Sequence, residues 1–198
     1  MSAAGGRAKD VRSMTRDQIC GDDNRYPPLL RERLGDQAPA ELAVWGNTDL
    51  LIAGQTAFFC SAHSPGSVIL AAYDQAAVWR DEGRCVVSGF HSPVEKECLR
   101  ILLRGRQPVV VCPARGIEGM RVPLEWKDPL ADGRMLVVSG FNAGDRRVTS
   151  ALAVRRNELV AAIVDEVVFG AITPGGRLAE LAGRVAKWGV AWRVLVEG

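Results

Sequence analysis

The sequence predicts a doubly wound α/β fold with a mostly parallel sheet, and three observations lead there. From Thr56 onward, short β-branched or apolar runs alternate with longer segments of helical periodicity, the rhythm of repeated β–α–β units. Four of those runs end in glycine- and serine-rich turns, as a strand feeding into a helix requires. The composition suits one such domain: 198 residues, 47% hydrophobic and 24% charged, can bury a large core with no help from disulfides or metal.

Taken in order, the six runs are Thr56 to Ser61, Arg84 to Gly89, Pro108 to Cys112, Met135 to Ser139, Glu166 to Ile172 and Val190 to Val196. Between the second and third, Ser92-Pro93-Val94-Glu95 reads as a helix start, with an N-cap serine, proline at the first helical position and a glutamate that completes a capping box. Val94, Cys98, Ile101 and Leu102 then share one face, and Gly105 ends the pattern. After Gly175-Gly176, Leu178, Leu181, Val185 and Trp188 repeat at helical spacing up to Gly189. Trp188 and Trp192 read as core. From Met1 to about Asn24 periodicity is weak and Gly, Arg and Asp abound, so residues 1–24 are expected to be a mobile tail without core, and residues 25–198 a single domain.

Charge and cysteine usage narrow the class. With 25 Lys plus Arg against 23 Asp plus Glu, the formal charge is only +2, too small for the broad positive field of an avid non-specific nucleic-acid binder. Any anion site must be local. Cys20, Cys60, Cys85, Cys98 and Cys112 are odd in number and never in C-x-x-C spacing, which predicts reduced thiols and no metal site. No signal-peptide pattern opens the chain and no apolar run is long enough for a bilayer, so a soluble, cytoplasmic protein without membrane contact is expected.

In doubly wound folds ligands bind beyond the carboxyl ends of the strands. The glycines gather there, in Ser61-Ala62-His63-Ser64-Pro65-Gly66, Ser88-Gly89-Phe90-His91-Ser92, Ser139-Gly140-Phe141-Asn142 and Thr173-Pro174-Gly175-Gly176-Arg177. Glycine permits close backbone approach and helix starts favour anions, so a phosphate-bearing ligand fits these loops. The same glycines serve equally to turn the chain. Neither a Walker sequence nor G-x-G-x-x-G is present.

Individual residues sharpen this picture. On the helix through Leu152, Leu159, Val160 and Ile163, Arg156 falls inside the apolar stripe and Arg155 on its flank. A buried guanidinium needs a carboxylate, carbonyls or a ligand phosphate, and a structural partner and a ligand both remain open. Arg146, Arg147 and Arg155 form a short basic cluster that also suits a solvated face. His63 and His91 sit in strand-end loops, yet no triad or Cys–His pair can be placed from spacing, so no catalytic residue is assigned. Phe90, Phe141 and Trp126 would stack on bases if exposed, although aromatics more commonly pack inside.

The chain also resembles a known family. Tyr26-Pro27-Pro28-Leu29-Leu30, then Asp36, Pro39, Leu42 and Trp45-Gly46-Asn47, is similar to the entry segment of the DprA/Smf DNA-processing family. Val86 to Phe90, Val137 to Phe141, Arg155-Arg156-Asn157 and Gly175-Gly176-Arg177-Leu178 resemble later elements of that family in the same order. The match runs from about Tyr26 to the C-terminus. It implies an extended Rossmann-like fold, binding of single-stranded DNA, cooperation with a RecA-type recombinase in DNA uptake or recombination, and a homodimer. Several positions depart from the pattern. Ser61-Ala62-His63 stands where the family has Gly-Ser-Arg, His91 to Glu95 replaces Ala-x-Gly-Ile-Asp, Leu99 takes the place of a histidine, and Glu158 that of the last arginine of Arg-Asn-Arg.

A second resemblance, through Pro174-Gly175-Gly176, Glu180 and Arg155-Arg156, is to the LOG phosphoribohydrolases, though the Gly-Thr is missing and the glutamate arrives two positions early. The resulting expectation is a non-catalytic, cofactor-free domain that binds single-stranded DNA or a nucleotide phosphate through Ser61, His63, Ser88, Gly89, Arg155, Arg156, Asn157, Gly175, Gly176 and Arg177. A LOG-like nucleotide hydrolase and a small nucleotide sensor are the alternatives.

Overall fold

The computed structural model describes residues 16–52 and 54–196, and among these eight strands pair into one sheet. They are β1 (Arg16–Cys20), β2 (Glu41–Gly46), β3 (Gln55–Phe59), β4 (Cys85–Ser88), β5 (Val109–Val111), β6 (Met135–Ser139), β7 (Glu166–Phe169) and β8 (Ala191–Val194). The helices are α1 (Pro28–Leu34), α2 (Gly66–Asp81), α3 (Pro93–Leu103), α4 (Lys127–Ala131), α5 (Ser150–Ala162) and α6 (Arg177–Lys187). Strand order is β1-β2-β6-β5-β4-β3-β7-β8. From β6 to β8 every pairing is parallel, and β2 and β1 extend the β6 edge antiparallel.

All six strands expected from the sequence are present. Their near-continuous apolar character follows from burial on both faces, because successive side chains alternate between two cores. Phe58 and Val86 join Val68, Trp79, Cys98 and Leu102 under α2 and α3, while Phe59 and Val87 join Leu30, Leu159, Leu181 and Val185 under α1, α5 and α6. Each such side chain contributes roughly 1.5–3 kcal/mol through burial.

Local signals act as expected at the helix ends. Ser92 caps α3 in a complete capping box with Glu95. Thr149 caps α5 by accepting from the Leu152 N–H. Gly189, with φ 69°, follows α6 and its C-cap Trp188.

Two expectations are corrected. Residues 16–24 are no tail: β1 pairs with β2 along its whole length, and Ile19 is fully buried in the core. Arg16 stacks over the Trp45 ring at 4.5 Å, and the Gly21 N–H donates to the Ala40 carbonyl at 2.9 Å. This segment escapes a sequence reading because four of its five strand residues face solvent, so one apolar side chain makes no periodic pattern. Residues 1–15 of the expected tail lie outside the described residues. Trp192 is not core; it is 44% exposed on the outer strand β8, with an edge-on ring contact to Phe169 at 6.1 Å.

All five cysteines are free, and Cys20 alone is exposed. Burial pushes the Cys85 and Cys112 thiols up to about 12. Among the described residues no helix is long and apolar enough to cross a membrane.

Candidate nucleic-acid interface

The sheet order determines which loops meet. The chain leaves β3 toward β4 on one side and later returns to pair β7 on the other, so β3 is the topological switch point. The loops after β4, β3 and β7 therefore stand side by side at the carboxyl end, with those after β5 and β6 continuing the row. Ser61, His63, Gly175 and Arg177 are exposed along this row, as is His91.

Beneath the loop after β4 lies Arg156, only 6% exposed. Its Nη1 donates to the Cys112 carbonyl at 3.2 Å and its Nε to Asn157 Oδ1 at 2.8 Å. Gly89 makes room: a Cβ there would stand 1.1 Å from Nη1. Burial pulls the guanidinium below the ordinary arginine value, opposed by the negative charge of nearby Glu95. Even so, an arginine remains charged. Among the described residues no carboxylate forms an ion pair with it.

Glu95 is buried as well and ties three loop amides together. Oε1 accepts from the Cys60 N–H at 3.1 Å, and Oε2 from His91 N–H at 2.9 Å and Ser92 N–H at 3.2 Å. The capping box is thus half of its role. The other half is a link from the end of β3 to the loop after β4, which sets the relative position of Ser61-Ala62-His63 and His91. Spacing identified the cap, but only folding could supply the third donor from 35 residues away.

Three expected ligand residues turn inward. Ser88 is fully buried and its Oγ accepts from the Phe90 N–H at 3.2 Å, closing the turn in which Phe90 takes φ 44°. Ser139 does the same for Phe141, also at 3.2 Å, so Ser-Gly-Phe is a repeated turn device at two strand ends. Asn157 is committed to Arg156, and Arg156 to a carbonyl. Gly175 and Gly176 first serve a turn: Gly175 has φ 73° and the Gly176 N–H donates to Thr173 O at 3.0 Å. Arg155 is exposed and stacks over the Phe141 ring at 5.7 Å. Phe90 and Phe141 are buried and Trp126 half-buried, so the two phenylalanines present no free face to a base.

A cavity of about 940 Å³ lies elsewhere, between α5, α6, β2 and the loop after β6. Of the expected site residues it takes in only Arg155. Asp36, Glu41, Glu118, Glu158 and Glu180 outnumber its two arginines, Arg155 and Arg184, and Arg184 is paired with Glu158. Such a lining repels phosphate. Sequence reasoning missed this cavity because its acids come from four separated segments.

Fold and topology define the class, a Rossmann-like α/β domain with a row of strand-end loops at the switch point. The model of the DNA recombination-mediator protein A family matches residues 17–180, and the chain belongs to that family. Among solved structures, DNA processing protein A (DprA) from Streptococcus pneumoniae is similar with a TM-score of 0.74 and 18% identity, over 92% of this chain and 64% of that one. The Helicobacter pylori protein, described for its single-stranded DNA binding mode, gives a TM-score of 0.70 and 16% identity, over 92% of this chain and 82% of that one. A molybdenum cofactor binding protein from Rippkaea orientalis reaches 0.50 at 13% identity, over 73% of this chain and 77% of that one. The chain thus spans less than two thirds of the pneumococcal structure's length. No curated protein matches.

Proposed function

We propose that this DNA-processing family member binds single-stranded DNA, or a nucleotide phosphate, in the row of loops after β4, β3 and β7, without catalysing a reaction. It acts there with a RecA-type recombinase and as a homodimer. The observation that carries this reading is the gathering of exposed Ser61, His63, His91 and Arg177 on three adjacent strand ends, above a buried guanidinium that no carboxylate among the described residues pairs. Family membership points the same way, and so does the single-stranded DNA binding ascribed to the Helicobacter pylori relative. His63, Arg155 and Arg177 supply the surface donors and charge. Gly89, Arg156 and Asn157 hold the floor beneath them. The open edge of β8, with Trp192 exposed, offers a surface for a second copy.

A direct test titrates labelled dT20 and, separately, nucleoside monophosphates into the protein at two salt concentrations. Salt-sensitive dT20 binding that weakens on His63→Ala plus Arg177→Gln, with melting temperature unchanged, is the expected result. Release of free base from a nucleotide would overturn the non-catalytic reading in favour of the LOG-like one. Glu180, the acid that reading requires, lines the acidic cavity. Light scattering across a concentration series checks the homodimer.

A further inference from the structure

Three arginines outside that crevice have no structural employment. Arg115 lies in the loop after β5, and Arg146 and Arg147 in the loop after β6; the first is half-buried and the other two are exposed. Among the described residues none of them forms an ion pair or a side-chain hydrogen bond, whereas Arg25, Arg100 and Arg184 are each held by a carboxylate. The backbones of Arg115 and Arg146 are nevertheless pinned, the latter by its N–H donating to the Gly144 carbonyl at 2.9 Å. The Ser139 hydroxyl donates to the Arg115 carbonyl at 2.7 Å, and the Gly116 N–H donates to the Asp145 carbonyl at 3.0 Å. Between the two loops lies a cavity of about 410 Å³, lined among others by Arg115, Arg146, Met120 and Glu118. Of the local acids, Asp145 accepts from the Asn142 N–H at 3.2 Å, and Glu118 lines the same cavity as the single carboxylate against Arg115 and Arg146.

We infer that Arg115, Arg146 and Arg147 form a second phosphate-binding subsite, which takes the phosphodiester of a nucleic-acid strand whose neighbouring nucleotides occupy the crevice. This rests on the proposed function. Unpaired guanidinium forks on a braced backbone match phosphate oxygens, and holding the loops in place beforehand lowers the ordering cost of binding. Arg155, on the Phe141 ring of the same loop and next in sequence to Arg156, joins the two regions. The loops after β6 and β3 stand three strand spacings apart, about 14 Å, a span that asks for a strand and not for one nucleotide.

The experiment compares wild type, the triple variant Arg115→Gln, Arg146→Gln, Arg147→Gln, and the crevice variant His63→Ala, Arg177→Gln, with dT20 and with dTMP. Among the described residues all three substituted arginine side chains lack partners, so the triple variant should keep its circular-dichroism spectrum and melting temperature. The expected result is dT20 affinity reduced about tenfold or more at low salt, a log–log salt slope shallower by about 2, and dTMP binding unchanged. An unchanged slope overturns the subsite while leaving the crevice reading intact. Weakened dT20 binding in the triple variant, with the crevice variant unaffected, sustains the arginine subsite and overturns the crevice. Loss of dTMP binding in the triple variant makes a free nucleotide the subsite's ligand and overturns the strand assignment. Wild type that binds neither ligand overturns both.

Discussion

The guanidinium of Arg156 occupies the space that a side chain on Gly89 would need, with Nη1 1.1 Å from where a Cβ would stand. Helix α5 therefore approaches the end of β4 only because residue 89 has no side chain, and the loop above takes its shape from that contact.

Gly89→Ala should displace Arg156 from the Cys112 carbonyl, leaving a buried charge short of a partner. The expected cost is about 1–3 kcal/mol, read as a lower urea midpoint, together with weaker dT20 binding. Unchanged stability would show that the arginine has another resting place.

Glu95→Ala should be more damaging than the loss of a helix cap. Three backbone donors from two loops would lose their acceptor, and a fall of about 2–4 kcal/mol is expected where a cap alone is worth about 1. Chemical denaturation measures it, and Ser92→Ala provides the cap-only comparison.

Ile19→Ala tests whether β1 is part of the folded body. Ile19 is fully buried, so truncation should cost about 2–4 kcal/mol. A dispensable tail would lose nothing measurable on thermal melting.

The buried thiols set an alkaline limit. In the unfolded chain they ionise near 9.0, whereas in the fold Cys85 and Cys112 are held up to about 12 by burial. Below pH 9 both states keep the thiols neutral and stability is unaffected. Between 9 and 12 only the unfolded state sheds these protons, so each thiol should lower stability by about 1.4 kcal/mol per pH unit. Denaturation at pH 8, 9.5 and 10.5 follows the fall. At pH 8 a thiol reagent should label Cys20 alone until denaturant is added.

Much of the architecture is legible in one dimension because it depends on local chemistry. Apolar runs such as Val109–Val111 must be buried on both faces, Ser92 and Glu95 cap a helix from neighbouring positions, and an arginine in the apolar stripe of α5 has to be buried. Glycine-rich strand ends likewise mark the switch-point loops. The candidate site was legible only as a set of loops. Which groups face outward depends on contacts across the chain: Ser88 spends its hydroxyl on its own turn, Arg156 reaches a carbonyl 44 residues away, and Glu95 collects the Cys60 amide just past β3. The edge strand β1 stayed hidden because backbone pairing holds it, and backbone pairing leaves no trace in side-chain pattern. Charge follows the same division. Composition determined that any anion site must be local; only the tertiary structure gathered five acids into one cavity and left Arg115, Arg146 and Arg147 unpaired among the described residues beside it, because electrostatic pairing is set by distance in space and not along the chain.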